Sequence, residues 1–304
     1  MSFFSVIIPT FNRSDVILRA IKSVLSNSFT ELELIVVDDA STDNTFELLN
    51  NIKDPRFKFL CLKEKSNANV ARNAGVALSK GQFICFLDSD DEFANDYLEN
   101  VYKFLTSHKD ARILLDSFRV ITSKKNSVIN YPAGTCDSDC FSMALARHAF
   151  PITCSNMVVE KSLIEDSKGF DSNFFRQQDR DFLMTICSYE KKIHLTNNHG
   201  VFKYQSKSSI SRSSSNYLEP LILLFNKHAS IFIQIEKPLR HYLLARGLLQ
   251  TIKTGNVKSI VKDFVTIKRS KSISYGLIQL LFSYSYGKKM RKAAAVDFLK
   301  SVTS

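Results

Sequence analysis

Three carboxylates stand within four residues at Asp88-Ser89-Asp90-Asp91. Side chains packed that closely repel one another and call for a cation. Hard divalent ions such as Mn²⁺ or Mg²⁺ take oxygen ligands and commonly share them with phosphates. A solvated acidic turn ahead of a helix would also use such residues, because Asp favours the positive end of the helix dipole. A second acidic pair, Asp38-Asp39, can accept hydrogen bonds from a base N–H or a ribose hydroxyl. It can equally cap a helix, since Ser41, Thr42, Asp43 and Asn44 follow. Arg72, at the start of a helical stretch, presents the planar fork of donors that suits a diphosphate or a base edge. An ordinary surface arginine is its simpler reading.

The elements between these residues place them together. Ser5–Ile8, Leu32–Val37, Phe57–Leu62 and Phe83–Leu87 are short apolar runs rich in β-branched or aromatic residues, the pattern of buried strands. Between them, Asp15–Leu25, Thr42–Ile52 and Asn69–Ser79 read as helices, the last interrupted by Gly75. Strand and helix alternating in this way predicts a parallel α/β unit with right-handed crossovers. Ligands of such sheets bind beyond the carboxyl ends of the strands. That rule gathers Pro9-Thr10, Asp38-Asp39 and Asp88-Ser89-Asp90-Asp91 into one site. Further on, Asp96–Ser107 reads as helix and Arg112–Ile121 as strand. Asn126–Asp139 is turn-rich, Met157–Ile164 passes from strand into helix, and Asp179–Tyr189 is helical. The stretch from Lys207 to Asn216 is rich in serine and reads as a loop. From Leu218 onward the pattern is helical.

Composition separates a body from a tail. The chain of 304 residues carries a net charge of +11. From Lys237 onward, 14 Lys and Arg face two acids, Asp263 and Asp297, an excess of +12, while the remainder stands at −1. The basic clusters Lys268-Arg-Ser-Lys271 and Lys288-Lys-Met-Arg-Lys292 flank an apolar stretch, as expected of a helix lying on an anionic membrane surface. A helical cap with its charges in water fits the same pattern. No run approaches the length of a bilayer-spanning helix, and the N-terminus lacks a signal-peptide pattern. The expectation is a cytoplasmic protein, peripheral at the inner face of the cell membrane, with its six cysteines reduced. A nucleic-acid binder would also carry a basic tail. It would not need carboxylates clustered at three strand ends, so nucleic acid is not the expected partner. A nucleotidyltransferase would show a Gly-rich loop where this chain has Pro9-Thr-Phe-Asn-Arg13.

Taken in order, Ser5-Val-Ile-Ile-Pro-Thr-Phe-Asn-Arg13, Val36-Val-Asp-Asp-Ala-Ser-Thr-Asp-Asn-Thr45, Ala71-Arg-Asn-Ala-Gly75 and Gly81-Gln-Phe-Ile-Cys-Phe-Leu-Asp-Ser-Asp-Asp91 resemble the inverting glycosyltransferase family 2. The resemblance covers the first hundred residues or so. It implies a GT-A-type, Rossmann-like, mostly parallel sheet flanked by helices. Residues 1–105 would form the nucleotide-sugar half, 106–212 the acceptor half and 213–304 a basic helical region. The implied donor is a nucleoside diphosphate sugar, usually UDP-linked. The implied acceptor is a glycan or lipid-linked hydroxyl in surface-polysaccharide synthesis such as O-antigen or capsule.

Site roles follow from the same resemblance. Pro9 and Thr10 would border the base and Asp39 would bind it, supported by Asp38. Arg72 would contact the base or diphosphate. Asp88 would lie by the ribose and metal, with Ser89 beside it, Asp90 would be the main ligand of Mn²⁺ or Mg²⁺, and Asp91 would stand in a supporting or acceptor-side position. The general base would be Asp179 in Phe175-Arg-Gln-Gln-Asp-Arg-Asp-Phe182, with Asp181 as fallback. Asp179 could instead only cap the helix that follows. Two departures stand out: Gln178 replaces the more usual Glu, and Lys207 stands near the place of a metal-assisting His. Lys207 would then neutralise the leaving diphosphate or lie solvated in its loop. An inactive carbohydrate-binding relative is the alternative.

Overall fold

The computed structural model describes residues 2–123, 126–205, 218–253 and 288–298, together with residues 300 and 302. The sequence-level strands and helices appear in order as β1 (Phe4–Thr10), α1 (Ile17–Leu25), β2 (Leu32–Asp38), α2 (Thr45–Asn50), β3 (Phe57–Cys61), α3 (Ala68–Leu78) and β4 (Phe83–Phe86). Every residue of β1, β2 and β4 is buried, as expected of central strands covered on both faces. Ile35 and Val37 of β2 pack with Ala71 of α3, while Leu34 and Val36 join the main core with Ile17, Ala20, Ile21 and Val24 of α1. Gly75 does not interrupt α3. It lets the helix approach β1, because a Cβ there would lie 2.5 Å from Ile7 Cγ2.

The second half continues the same sheet. It adds β5 (Glu92–Phe93), α4 (Tyr97–Ser107), β6 (Ile113–Ile121), β7 (Ser127–Ile129), β8 (Gly134–Asp137), α5 (Ser138–Ala146), β9 (Met157–Glu160), α6 (Lys161–Asp166), α7 (Gln178–Ile186) and β10 (Lys192–Tyr204). The ten strands run β3-β2-β1-β4-β9-β6-β10-β5, with β7 on β6 and β8 on β10. The β3-β2-β1-β4 half is parallel, as is β6 with β10, whereas β9 lies antiparallel between β4 and β6. The turn-rich stretch from Asn126 holds two short strands and the start of α5. The long β10 escapes periodicity because its register shifts between Thr196 and Val201. Buried Asp116 secures that irregularity by accepting from Thr196 Oγ1 at 2.7 Å and Asn198 N at 2.9 Å.

Helices α8 (Leu218–Lys227), α9 (Ala229–Phe232) and α10 (Lys237–Lys253) follow, and residues 288–298 are helical. One hydrophobic cluster runs from Phe4 to Val302, so the three sequence regions share a core. Phe298 stacks on Phe150 at 4.8 Å, while Lys288, Lys289 and Lys292 stay exposed. Lys207, the serine-rich loop, the Lys268-Arg-Ser-Lys271 cluster and the apolar tail stretch lie outside the described residues. Among the described residues no helix is long and apolar enough to cross a membrane.

Candidate active site

Strand register assembles the first half of the site. β1 and β2 pair from Phe4 opposite Leu32 to Thr10 opposite Asp38, which brings Pro9, Thr10 and Asp38 to one edge. The loops after these strands are sewn together by short polar side chains. Asn12 N donates to Ser41 Oγ at 2.8 Å, Thr42 N to Asn12 Oδ1 at 2.7 Å, and Ser14 N to Asp43 Oδ2 at 3.0 Å. Asp43 also accepts from Thr45 N and Oγ1, so α2 begins there rather than at Thr42. Asp38 accepts from Ser41 N and Oγ, and Asp39 Oδ1 accepts from Ser66 N at 2.8 Å and Ser66 Oγ at 2.6 Å. Both acids are buried and held in place from neighbouring loops.

The acidic cluster lies just past β4. There β9 pairs antiparallel with β4, Cys85 opposite Val158. Continuing this register sets Ser155 opposite Asp88, and Ser155 Oγ accepts from Asp88 N at 3.0 Å and donates to Asp91 Oδ2 at 2.6 Å. Arg72, only 3% exposed, reaches Asp88 Oδ1 with Nη2 at 2.8 Å. Lys203, at the end of β10, reaches Asp88 Oδ2 and Asp91 Oδ2, both at 3.3 Å. Burial works to raise the Asp88 pKa, but Lys203 and Arg72 together hold it below the usual carboxylate range. Burial also works against the Arg72 charge, and the surrounding groups, Cys154, Asp88 and Asp179, keep its pKa above the ordinary value.

The three carboxylates therefore differ in kind. Asp91 is wholly buried and accepts from Ser155, Lys203 and Tyr204 N, so it anchors the turn instead of facing a substrate. Burial, with Asp88 and Asp90 nearby, pushes its pKa up to about 7. Asp88 has both oxygens engaged by cations. Asp90 makes no ion pair among the described residues; burial and Asp88 raise its pKa, with Lys203 and Arg13 only partly opposing them. Ser89 is buried between them. A hard divalent ion fits this donor set through Asp90. Asp88 fits that role less well, its oxygens being already turned to Arg72 and Lys203. No group of three or more His, Cys, Asp or Glu among the described residues forms a complete metal cage, so further oxygen ligands would come from phosphate and water.

Asp179 sits in the first turn of α7, whose preceding residue Gln177 has φ of 62°. Cys154 Sγ donates to Asp179 Oδ1 at 2.9 Å. Burial and then Asp88 raise the Asp179 pKa, with Arg72 opposing. A carboxylate so poised suits a general base. Asp181 faces away from this cluster: it is buried, with His228 Nε2 at 2.8 Å and Lys227 Nζ at 3.0 Å. The fallback base is thus a tie between α7 and the helices after it.

The segment Thr153-Cys-Ser-Asn156 was silent in the sequence and is central here. Thr153 Oγ1 accepts from Lys203 at 3.0 Å, Cys154 donates to Asp179, Ser155 holds both ends of the acidic turn, and Asn156 Nδ2 donates to Asp116 O at 2.6 Å. Lys203 was missed as well, because β10 has no clean strand period. A cavity of about 330 Å³ opens beside Asp90, lined in part by Arg13, Arg19, Thr122, Ser123 and Tyr204, a size common for small-ligand sites.

Comparison with known proteins fits this arrangement. Residues 5–141 match the family described as Glycosyl transferase family 2. They form a glycosyltransferase family 2 domain. The UDP-Glc:alpha-D-GlcNAc-diphosphoundecaprenol beta-1,3-glucosyltransferase WfaP of Escherichia coli is 37% identical over 111 residues, 36% of this chain and 43% of WfaP. The putative teichuronic acid biosynthesis glycosyltransferase TuaG of Bacillus subtilis is 41% identical over 103 residues, 33% of this chain and 41% of TuaG. The chain thus spans less than half the length of these curated relatives. Among solved structures, Staphylococcus aureus TarS 1-349 in complex with UDP-GlcNAc superposes with a TM-score of 0.67 at 18% identity, covering 99% of this chain and 90% of that one. The mannosyltransferase PcManGT from Pyrobaculum calidifontis, in complex with GDP-Man and Mn²⁺, reaches 0.59 at 17% identity, covering 98% and 87%. The glycosyltransferase domain therefore lies within a GT-A-type fold that includes the C-terminal helices.

Proposed function

We propose that the protein is an inverting glycosyltransferase. It moves a sugar from a nucleoside diphosphate donor, UDP-linked by this reading, to a hydroxyl of a lipid-linked or glycan acceptor in cell-surface polymer synthesis. The observation that carries the reading is the meeting of Arg72, Asp88, Asp90 and Asp179 at the carboxyl edge of the sheet. Asp39 accepts from the base N–H, within walls formed by Pro9 and Thr10. Arg72 and the nearby Arg13 offer positive charge to the diphosphate. Mn²⁺ or Mg²⁺, held by Asp90, would supply Lewis-acid stabilisation of the departing diphosphate. Asp179 takes the proton of the acceptor hydroxyl. The acceptor oxygen then bonds to the anomeric carbon from the face opposite the diphosphate, the carbon–phosphate oxygen bond breaks, and the nucleoside diphosphate leaves with that electron pair. An α-linked donor gives a β-linked product.

The exposed Lys288, Lys289 and Lys292 suit an anionic membrane surface carrying a lipid-linked acceptor. The same helix packs on the body through Phe298, so capping and membrane contact are compatible. The test is binding and slow hydrolysis across UDP-, GDP- and dTDP-sugars, with Mn²⁺ and with chelator. Metal-dependent binding of a UDP-sugar is expected. Failure of every sugar nucleotide to bind, with or without Mn²⁺, would sink the reading.

A further inference from the structure

Lys203 lies among charges, with no free valence. Its Nζ is 3.3 Å from Asp88 Oδ2, 3.3 Å from Asp91 Oδ2 and 3.0 Å from Thr153 Oγ1. An ammonium has three protons to donate, and these three acceptors use them all. Thr153 and Ser155 hold the ammonium and Asp91 from the same short segment, so the cation is fixed on two sides. Burial opposes its charge, yet Asp91, Asp88, Asp179 and Asp90 more than offset this. Four carboxylates, Asp88, Asp90, Asp91 and Asp179, lie around Arg72 and Lys203, with Arg13 also bearing on Asp90. Losing Lys203 removes one positive charge from that cluster.

We propose that Lys203 is a built-in cation that fills the Asp88–Asp91 side of the acidic cluster, confines a divalent ion to Asp90 and lowers the protein's own affinity for that ion. The proposal rests on reading the cluster as the metal site. Lys203 acts through the carboxylates it holds and is a positioning residue. Two consequences follow from its charge. Removing it strengthens the pull on a divalent ion, because one positive charge a few ångströms away is lost from a poorly screened site. Replacing it with arginine keeps the charge and leaves that pull nearly unchanged.

The experiment titrates Mn²⁺ alone, without nucleotide, into wild type, Lys203→Met and Lys203→Arg, following free Mn²⁺ by electron paramagnetic resonance. Lys203→Met is expected to bind Mn²⁺ about tenfold or more tightly than wild type, and Lys203→Arg within about twofold. Thermal unfolding guards against a poorly folded variant. Lys203→Met should melt below wild type in chelator and gain more from Mn²⁺ than wild type does, since a ligand that binds only the folded state stabilises it by RT ln(1 + [L]/Kd), which grows as Kd falls. Equal or weaker Mn²⁺ binding by Lys203→Met, or no larger gain in melting temperature, overturns the role of Lys203 while leaving the metal site standing. Absence of Mn²⁺ binding in all three proteins overturns the metal reading and this inference with it.

Discussion

The two halves of the strand-end edge are built differently. On the β1–β2 side, Asp38, Asp39 and Asp43 are held by Ser41, Ser66, Thr45 and Ser14, small polar residues in the loops that leave or face the same strands. On the β9–β10 side, Asp88 is held by Lys203, 115 residues away, and Asp91 by Tyr204 N, 113 away. One half is a local weave of turns and caps; the other is closed by contacts that exist only once the whole sheet has formed. The local half holds groups that would recognise the nucleotide, and the long-range half holds those that would do the chemistry.

That division can be broken in order of expected effect. Asp179→Asn should lower turnover about 10³-fold, within the range of general-base catalysis, with UDP-sugar binding nearly unchanged; single-turnover and binding assays separate the two. Comparable loss of donor binding would place Asp179 in the recognition half. Arg72→Met leaves Asp88 facing Lys203 alone and should destabilise the fold by about 3 kcal/mol, read from the denaturant midpoint. Ser155→Ala removes a donor to buried Asp91 and an acceptor for Asp88 N, and should cost about 2 kcal/mol. Asp43→Ala, in the local weave and more exposed, should cost less than that. If it costs more, stability does not follow the long-range contacts.

The pH profile sharpens the same contrast. Burial and Asp88 raise the Asp179 pKa, so the acid limb of kcat should lie above the ordinary aspartate range, with activity rising as pH rises and the base ionises. The Cys154 thiol favours the ionised form. Cys154→Ala should move that limb to still higher pH, while Cys154→Ser should leave it nearer wild type. The smallest effect is expected at the surface: each of Lys288, Lys289 and Lys292 changed to Gln should weaken binding to anionic vesicles by about 1 kcal/mol.

Legibility in the sequence follows the same line. Strands β1, β2 and β4 announced themselves because they are covered on both faces and read as nearly unbroken apolar runs, and the half-buried β3 through its aromatic residues. Asp38, Asp39, Asp88, Asp90 and Arg72 could be placed because each stands at the end of such a run or opens the helix beside it. Lys203 could not, since β10 carries a register shift and alternates His, Asn and Lys with apolar residues. Thr153, Cys154 and Ser155 could not either. Nothing local distinguishes them from any polar turn, and their roles come from the antiparallel pairing of β9 with β4. Asp179 entered only through the family resemblance, and its separation from Asp181 needed Lys227, the last residue of α8, and His228 just after it.

Helix α3 carries Arg72, and its asparagines also grip the backbone that leads to Asp179. Asn67 Nδ2 donates to Ser172 O, Asn69 Nδ2 to Asp171 O and Phe174 O, and Asn73 exchanges bonds with Phe170 N and O. Just before that backbone, Gly169 has φ of +71°, and a Cβ there would stand 2.5 Å from Asn73 Oδ1. Arg72 and the backbone leading to Asp179 thus hang on one shared hinge pin. A side chain at residue 169 would press on Asn73 and loosen both at once, so that a lesion there would look in kinetics like two unrelated faults.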